Sequence, residues 1–201
     1  MEDFFATIAD RWPAGREDYH WHVVPGSELL RDRVSRPYSE ITNRPGLVPV
    51  QPTYLHITIQ HLAAVSQVTD GELGQIVELV RDRCAAFAPF AVIAGRAEAW
   101  EHGIVCTIRP GYLLASLWQA TTSAASAVTG GRLEIRPAVF HPHMALAYAT
   151  AHVDQAAVRA WLADNDAPEA ALPVAKLALV AQQHDGREIT FRILDQIPLA
   201  E

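Results

Sequence analysis

His56-Ile57-Thr58 sets an imidazole and a hydroxyl two residues apart within Tyr54 to Leu62 (YLHITIQHL), a run whose aromatic and β-branched content predicts a strand. Side chains two apart on a strand share a face, so Tyr54, His56, Thr58 and Gln60 are expected on one side and Leu55, Ile57 and Ile59 on the other. An imidazole with an ordinary pKa near 6.5 can give or take a proton at neutral pH, and a neighbouring hydroxyl can donate a hydrogen bond to an anionic oxygen. Taken alone, such a pair is also an ordinary feature of a sheet face. A second segment, Phe140-His141-Pro142-His143-Met144-Ala145-Leu146, offers His143 with Ala145 two residues on and His141 two residues before.

The elements that must position these groups follow from hydrophobic periodicity. Phe4, Phe5, Ile8 and Trp12 predict a short amphipathic helix within Glu2 to Trp12 that docks on the body. Asp18 to Pro25 reads as a strand with His20 and His22 on one face and Trp21 on the other, and an Arg-rich polar stretch follows from Ser27 to Asn43. A helix is expected over Glu72 to Phe87, strands over Phe90 to Glu98 and Gly103 to Arg109, and a second helix from Gly111 to Val128 closed by Gly130 and Gly131. Then the order repeats, with a strand over Phe140 to Tyr148, a helix over Val153 to Ala163, and strands over Val174 to Gln182 and Glu188 to Leu194. A shift of 87 residues carries His56 onto His143 and Ile104 onto Phe191.

The fold class expected is therefore α+β. A bilobal, pseudo-twofold pair of strand-helix-strand-strand units would form antiparallel sheets around a central groove. The whole chain, 1–201, is one domain, with lobes at about 45–110 and 135–197 and the N-terminal helix and strand packed on the body. Histidines at matching points of a doubled unit would face each other, one as general base and one as general acid, on opposite sides of a bound phosphate.

With YLHITIQ at Tyr54 to Gln60 and FHPHMALAYA at Phe140 to Ala149, the sequence resembles the 2H phosphoesterase superfamily, and within it the bacterial 2′-5′ RNA ligase-like proteins. The likeness in element order runs from about Asp18 to Leu194. It implies a bilobal fold and metal-free cleavage or resealing of phosphodiesters, typically 2′,3′-cyclic phosphates or 2′-5′ linkages, with no cofactor. By the same resemblance His56 and His143 match the catalytic histidines and Thr58 the first phosphate-binding hydroxyl. Ala145 departs from the pattern, standing where Thr or Ser is expected. His141, of the same strand parity, is the nearest candidate to replace that donor, while Tyr148 has the opposite parity.

Further groove-lining candidates are His20, His22 and Tyr54, the last able to stack a base; ordinary packing is the alternative for each. Arg132 and Arg136 flank the second motif and are read as phosphate neutralisers or solvated cations. His61, His102, His152 and His184 are read as structural or exposed. Cys84 and Cys106 are too few for a disulfide framework and are read as core thiols. A net charge of −7 is the wrong sign for tracking long nucleic acid and leaves small anionic substrates open; the resemblance implies a nucleotide or RNA end as the partner. No apolar run is long enough for a membrane span and the first residues lack a secretion signal, so a cytoplasmic location is expected. Two other readings remain: a non-catalytic or repurposed binding protein, suggested by Ala145, and a metal enzyme built on His20-x-His22 or His141-x-His143. Oligomeric state is not legible.

Overall fold

A computed structural model describes residues 1–135, 139–165 and 167–200. Its first helix, α1 (Phe4–Ile8), is shorter than the predicted Glu2 to Trp12, and β1 (Asp18–Val23) follows. The Arg-rich stretch winds into α2 (Ser27–Leu30), two tighter or wider turns, and α3 (Ser39–Thr42), then β2 (Leu47–Pro49). The first half continues with β3 (Ile57–Ala64), α4 (Asp70–Cys84), β4 (Phe90–Trp100), β5 (Gly103–Arg109) and α5 (Gly111–Thr129). The second holds β6 (His143–Ala149), α6 (Gln155–Asp164), β7 (Ala170–Val174), β8 (Lys176–His184) and β9 (Ile189–Pro198).

The protein is α+β, with two antiparallel sheets ordered β3-β1-β8-β9 and β2-β6-β5-β4-β7. The duplicated order of the sequence is present, but the two segments exchange strands. The hairpin β4-β5 of the first half pairs with β6 of the second, and the hairpin β8-β9 reaches β3 through β1. A lobe in space is therefore not one stretch of chain, and the segments 45–110 and 135–197 each contribute to both sheets. Element order along a chain does not specify which strand a hairpin will join.

Leu55, Ile57 and Ile59 are fully buried, as are Ile76 and Val80 of α4 and Leu114 and Leu117 of α5, each contributing roughly 1.5–3 kcal/mol by leaving water. Arg83 on α4 ties the two helices by donating to the Ala120 carbonyl (2.9 Å). Gln60 reaches Thr122 of α5 (3.3 Å), so α5 covers the face of the first sheet opposite His20 and His22. Cys84 and Cys106 are buried thiols, pushed up to about 11 and about 12 by desolvation and thus inert at neutral pH.

Candidate active site

The alternation predicted for Tyr54 to Leu62 breaks at both ends. Tyr54 lies in a 3₁₀ turn with Pro52, before β3 begins at Ile57. Within β3 the pairing with β1 runs Thr58 to His22, then Gln60 to Trp21, then His61 to His20, so Ile59 and Leu62 are bulged. Directly paired residues share a face. Thr58 and His61 therefore stand on the face of His22 and His20, while Gln60, expected beside Thr58, turns to the core with Trp21. The same device recurs in β6, where Ala145 pairs with Val105 and Ala147 with Ile104, leaving Leu146 bulged. Tyr148, paired with Gly103, is thereby carried onto the face of His143 and Ala145, against the parity expected for it. A Cβ on Gly103 would overlap the Ala147 carbonyl oxygen, so only glycine permits this approach of β5 to β6.

Each candidate histidine is anchored in the same way. His56 Nδ1 donates to the Tyr54 carbonyl (2.7 Å) and His143 Nδ1 to the His141 carbonyl (2.8 Å), each two residues back. The bond fixes the tautomer and leaves Nε2 as the edge for a ligand. The strand predicted from Phe140 begins at His143, so His141 lies outside the alternation that placed its side chain with Ala145; its ring is exposed and its carbonyl orients His143.

The surroundings of the two rings differ. His22 stacks on His56 with centroids 3.9 Å apart and planes 13° from parallel, and Phe191 stands edge-on to both at 5.2 and 5.4 Å. Tyr54 also packs edge-to-face with Phe191, at 5.5 Å. Burial pulls His56 down to about 4, partly offset by the Tyr54 carbonyl, and the His143 charge adds to the fall. His143 is half-buried against Trp100 (5.0 Å), and its pKa is also lowered, first by burial. His22 and His20 are lowered further by complete burial and stay neutral.

Beside His143 opens a cavity of about 250 Å³ lined by Ala145, Val105, Trp100, His102, Tyr148 and Phe4. Phe4 of α1 stacks on Tyr148 at 4.7 Å, so the helix expected only to pack also walls the groove. Arg132 pairs with Glu72 (2.6 Å) and donates to the Gln67 carbonyl (2.9 Å); Arg136 lies outside the described residues. His184 is structural, accepting from the Gly186 N–H and bonding the Trp12 carbonyl (2.7 Å), and exposed His152 sits 3.4 Å from Glu2. Sequence reasoning missed Phe4, Trp100 and His61. Phe191 was legible only through its 87-residue relation to Ile104.

Two imidazoles, each anchored through Nδ1 and left with Nε2 for a ligand, stand at corresponding points of the repeated element order. The chain belongs to the 2′-5′ RNA ligase superfamily, whose model matches residues 30–186. Among solved structures it is similar to the Thermus thermophilus protein TT0787 (TM-score 0.71, 18% identity, 90% of this chain and 97% of that one). It is likewise similar to Escherichia coli LigT complexed with 3′-AMP (TM-score 0.70, 15% identity, 92% and 99%) and to a protein described as a phosphoesterase (0.69, 16%, 92% and 99%). LigT has also been crystallised with phosphate. No curated protein sequence matches the chain. Among the described residues, no helix is long and apolar enough to cross a membrane.

Proposed function

We propose that this groove is a phosphodiesterase site acting on the 2′,3′-cyclic phosphate or 2′-5′ linkage of a nucleotide or RNA end, by acid–base catalysis between His56 and His143. The observation that carries the reading is the matched Nδ1-to-carbonyl anchoring of the two rings. LigT complexed with 3′-AMP supplies a relative holding a nucleotide of the kind such a reaction would release.

For hydrolysis, His56 is the base: its lower pKa and deeper burial keep Nε2 unprotonated, ready to take a proton from water as the water oxygen bonds to phosphorus. His143, less buried, is the acid: the negative charge of a bound phosphate favours its imidazolium, which gives its proton to the ribose oxygen as the P–O bond breaks. Thr58 donates to a non-bridging oxygen. Both proton transfers run between imidazole nitrogen and oxygen and require no metal ion. In resealing, a ribose hydroxyl of the incoming end takes the place of water: the base takes its proton as its oxygen bonds to phosphorus, and the acid protonates the ribose oxygen that leaves the cyclic phosphate.

A second reading is favoured by Ala145 and the largely apolar cavity beside it. The missing hydroxyl removes one donor, and the freed space suits a planar or apolar substituent larger than a bare ribose phosphate. Assay of a 2′,3′-cyclic nucleotide with the parent and with His56→Ala and His143→Ala decides between them. Turnover lowered by about 10²- to 10⁴-fold in each variant is the expected result. Saturable binding with no turnover by the parent would leave the binding reading, and turnover undiminished by either substitution would overturn the proposal.

A further inference from the structure

Around the bulge at Leu62, away from His56 and His143, Asp18, His20 and His61 each present a ligand atom, all within 4.8 Å of one another. Asp18 is 1% exposed and His20 7%. Both ring nitrogens of His20 and Nδ1 of His61 are buried without a hydrogen-bond partner, a costly condition for polar atoms. The rings of His20 and His61 lie 4.8 Å apart, at the wall of a cavity of about 570 Å³ whose other residues include Arg11, Trp12, Phe4 and Glu134.

We infer that Asp18, His20 and His61 form a binding site for a divalent transition-metal ion of the zinc type, with its open coordination positions turned toward this cavity. Two neutral imidazoles and one carboxylate are a donor set that selects zinc or iron(II) over magnesium or calcium, and three protein ligands leave room for water. Burial keeps His20 neutral, the form that ligates. Arg16 donates to both Asp18 oxygens (2.8 Å each) and His61 Nε2 lies on Oδ2 (2.7 Å), which leaves about one of the four acceptor directions of the carboxylate open. The ion would supply a partner to one nitrogen of each ring. The β3 bulges create the site, because unbroken alternation would turn His61 away from His20.

The test is titration of the full-length protein, stripped with chelator, with cobalt(II) chloride, followed by visible d–d absorption and by competition with zinc(II). One cobalt per chain, displaced by zinc, is expected. His20→Ala and His61→Ala should each weaken it beyond the roughly 10- to 100-fold typical of losing an outer partner. His152→Ala and His143→Ala should leave it unchanged. Thermal unfolding checks each variant, and His61→Gln and His20→Asn stand in where an alanine variant does not fold. Cobalt binding that persists through both His20 and His61 substitutions, that disappears with His143→Ala, or that never reaches one per chain overturns the site. In the last case water, not metal, fills the space between the rings.

Discussion

β3 and β6 are the same strand built twice with different side chains. Each has at or just before its start a histidine held by the carbonyl two residues back, each is bulged three residues after that histidine, at Ile59 and Leu146, and each thereby turns the fifth residue after it onto the face of the second. Leading into and along β3 the series is His56, Thr58, His61; in β6 it is His143, Ala145, Tyr148. The backbone device has been kept and the chemistry around it divided. The first copy is backed by buried imidazoles and sits near a carboxylate, whereas the second is walled by Trp100, Tyr148 and Phe4. The repeat sets the two rings at matching points, and on the proposed function their differing surroundings divide the acid and base roles.

The largest expected effect is on the rings themselves. His56→Ala and His143→Ala should each lower turnover of a 2′,3′-cyclic nucleotide by about 10²- to 10⁴-fold. A much larger loss at one position, in single-turnover assays, would break the division of labour. Next come the hydroxyls: Thr58→Ala should cost on the order of 10²- to 10³-fold in kcat, the scale of losing one oxyanion donor, and Ala145→Thr should restore a comparable factor. If Ala145→Thr leaves kcat unchanged while Thr58→Ala lowers it, the second copy no longer grips phosphate and its cavity serves another part of the substrate.

A smaller effect, and a sharper one for assigning roles, is the pH profile. The base must be neutral, so activity rises as pH passes about 4, where His56 loses its proton. The acid must be protonated, and burial sets His143 below 6.5, so activity falls before neutrality. A bell in kcat/KM with an acidic optimum is the expected outcome, with the descending limb of kcat displaced upward because bound phosphate stabilises the imidazolium. A kcat/KM profile flat from pH 5 to 8 would contradict the assignment.

Much of this was readable from residue order. The α4 and α5 helices fall within a few residues of their periodicity, and the 87-residue shift pairs His56 with His143 and, unrecognised, His61 with Tyr148 and Ile59 with Leu146. What the sequence concealed is where the alternation slips. A bulge leaves no mark in composition, so an unbroken period of two put Gln60 in the groove, dismissed His61 and turned Tyr148 away. Nor does alternation reach past the strand: Tyr54 and His141 precede β3 and β6, and their carbonyls, not their rings, hold the histidines. Strand exchange between the halves was equally hidden, because it depends on long-range pairing.

The smallest effects compare the helices that follow the two strands. The α4 helix opens with a capping box: Thr69 Oγ1 accepts from the Glu72 N–H (3.2 Å) while Glu72 accepts from the Thr69 N–H (3.0 Å). That carboxyl is held below its usual range, chiefly by the Thr69 N–H and then by Arg132. The α6 helix has a simpler cap, Asp154 Oδ1 accepting from the Ala156 and Ala157 N–H groups (2.9 and 3.2 Å). Thr69→Ala and Asp154→Ala should each cost about 0.5–2 kcal/mol in urea unfolding. Because Glu72 has a depressed pKa, its share of the box is present above the unfolded carboxyl pKa and fades as pH falls through the folded one; the Thr69→Ala penalty should therefore shrink in acid. The two caps share no partner, so the double variant should sum to within about 0.3–0.5 kcal/mol. A larger coupling would mean that the exchanged strands make the two halves answer as one unit to a change at either helix.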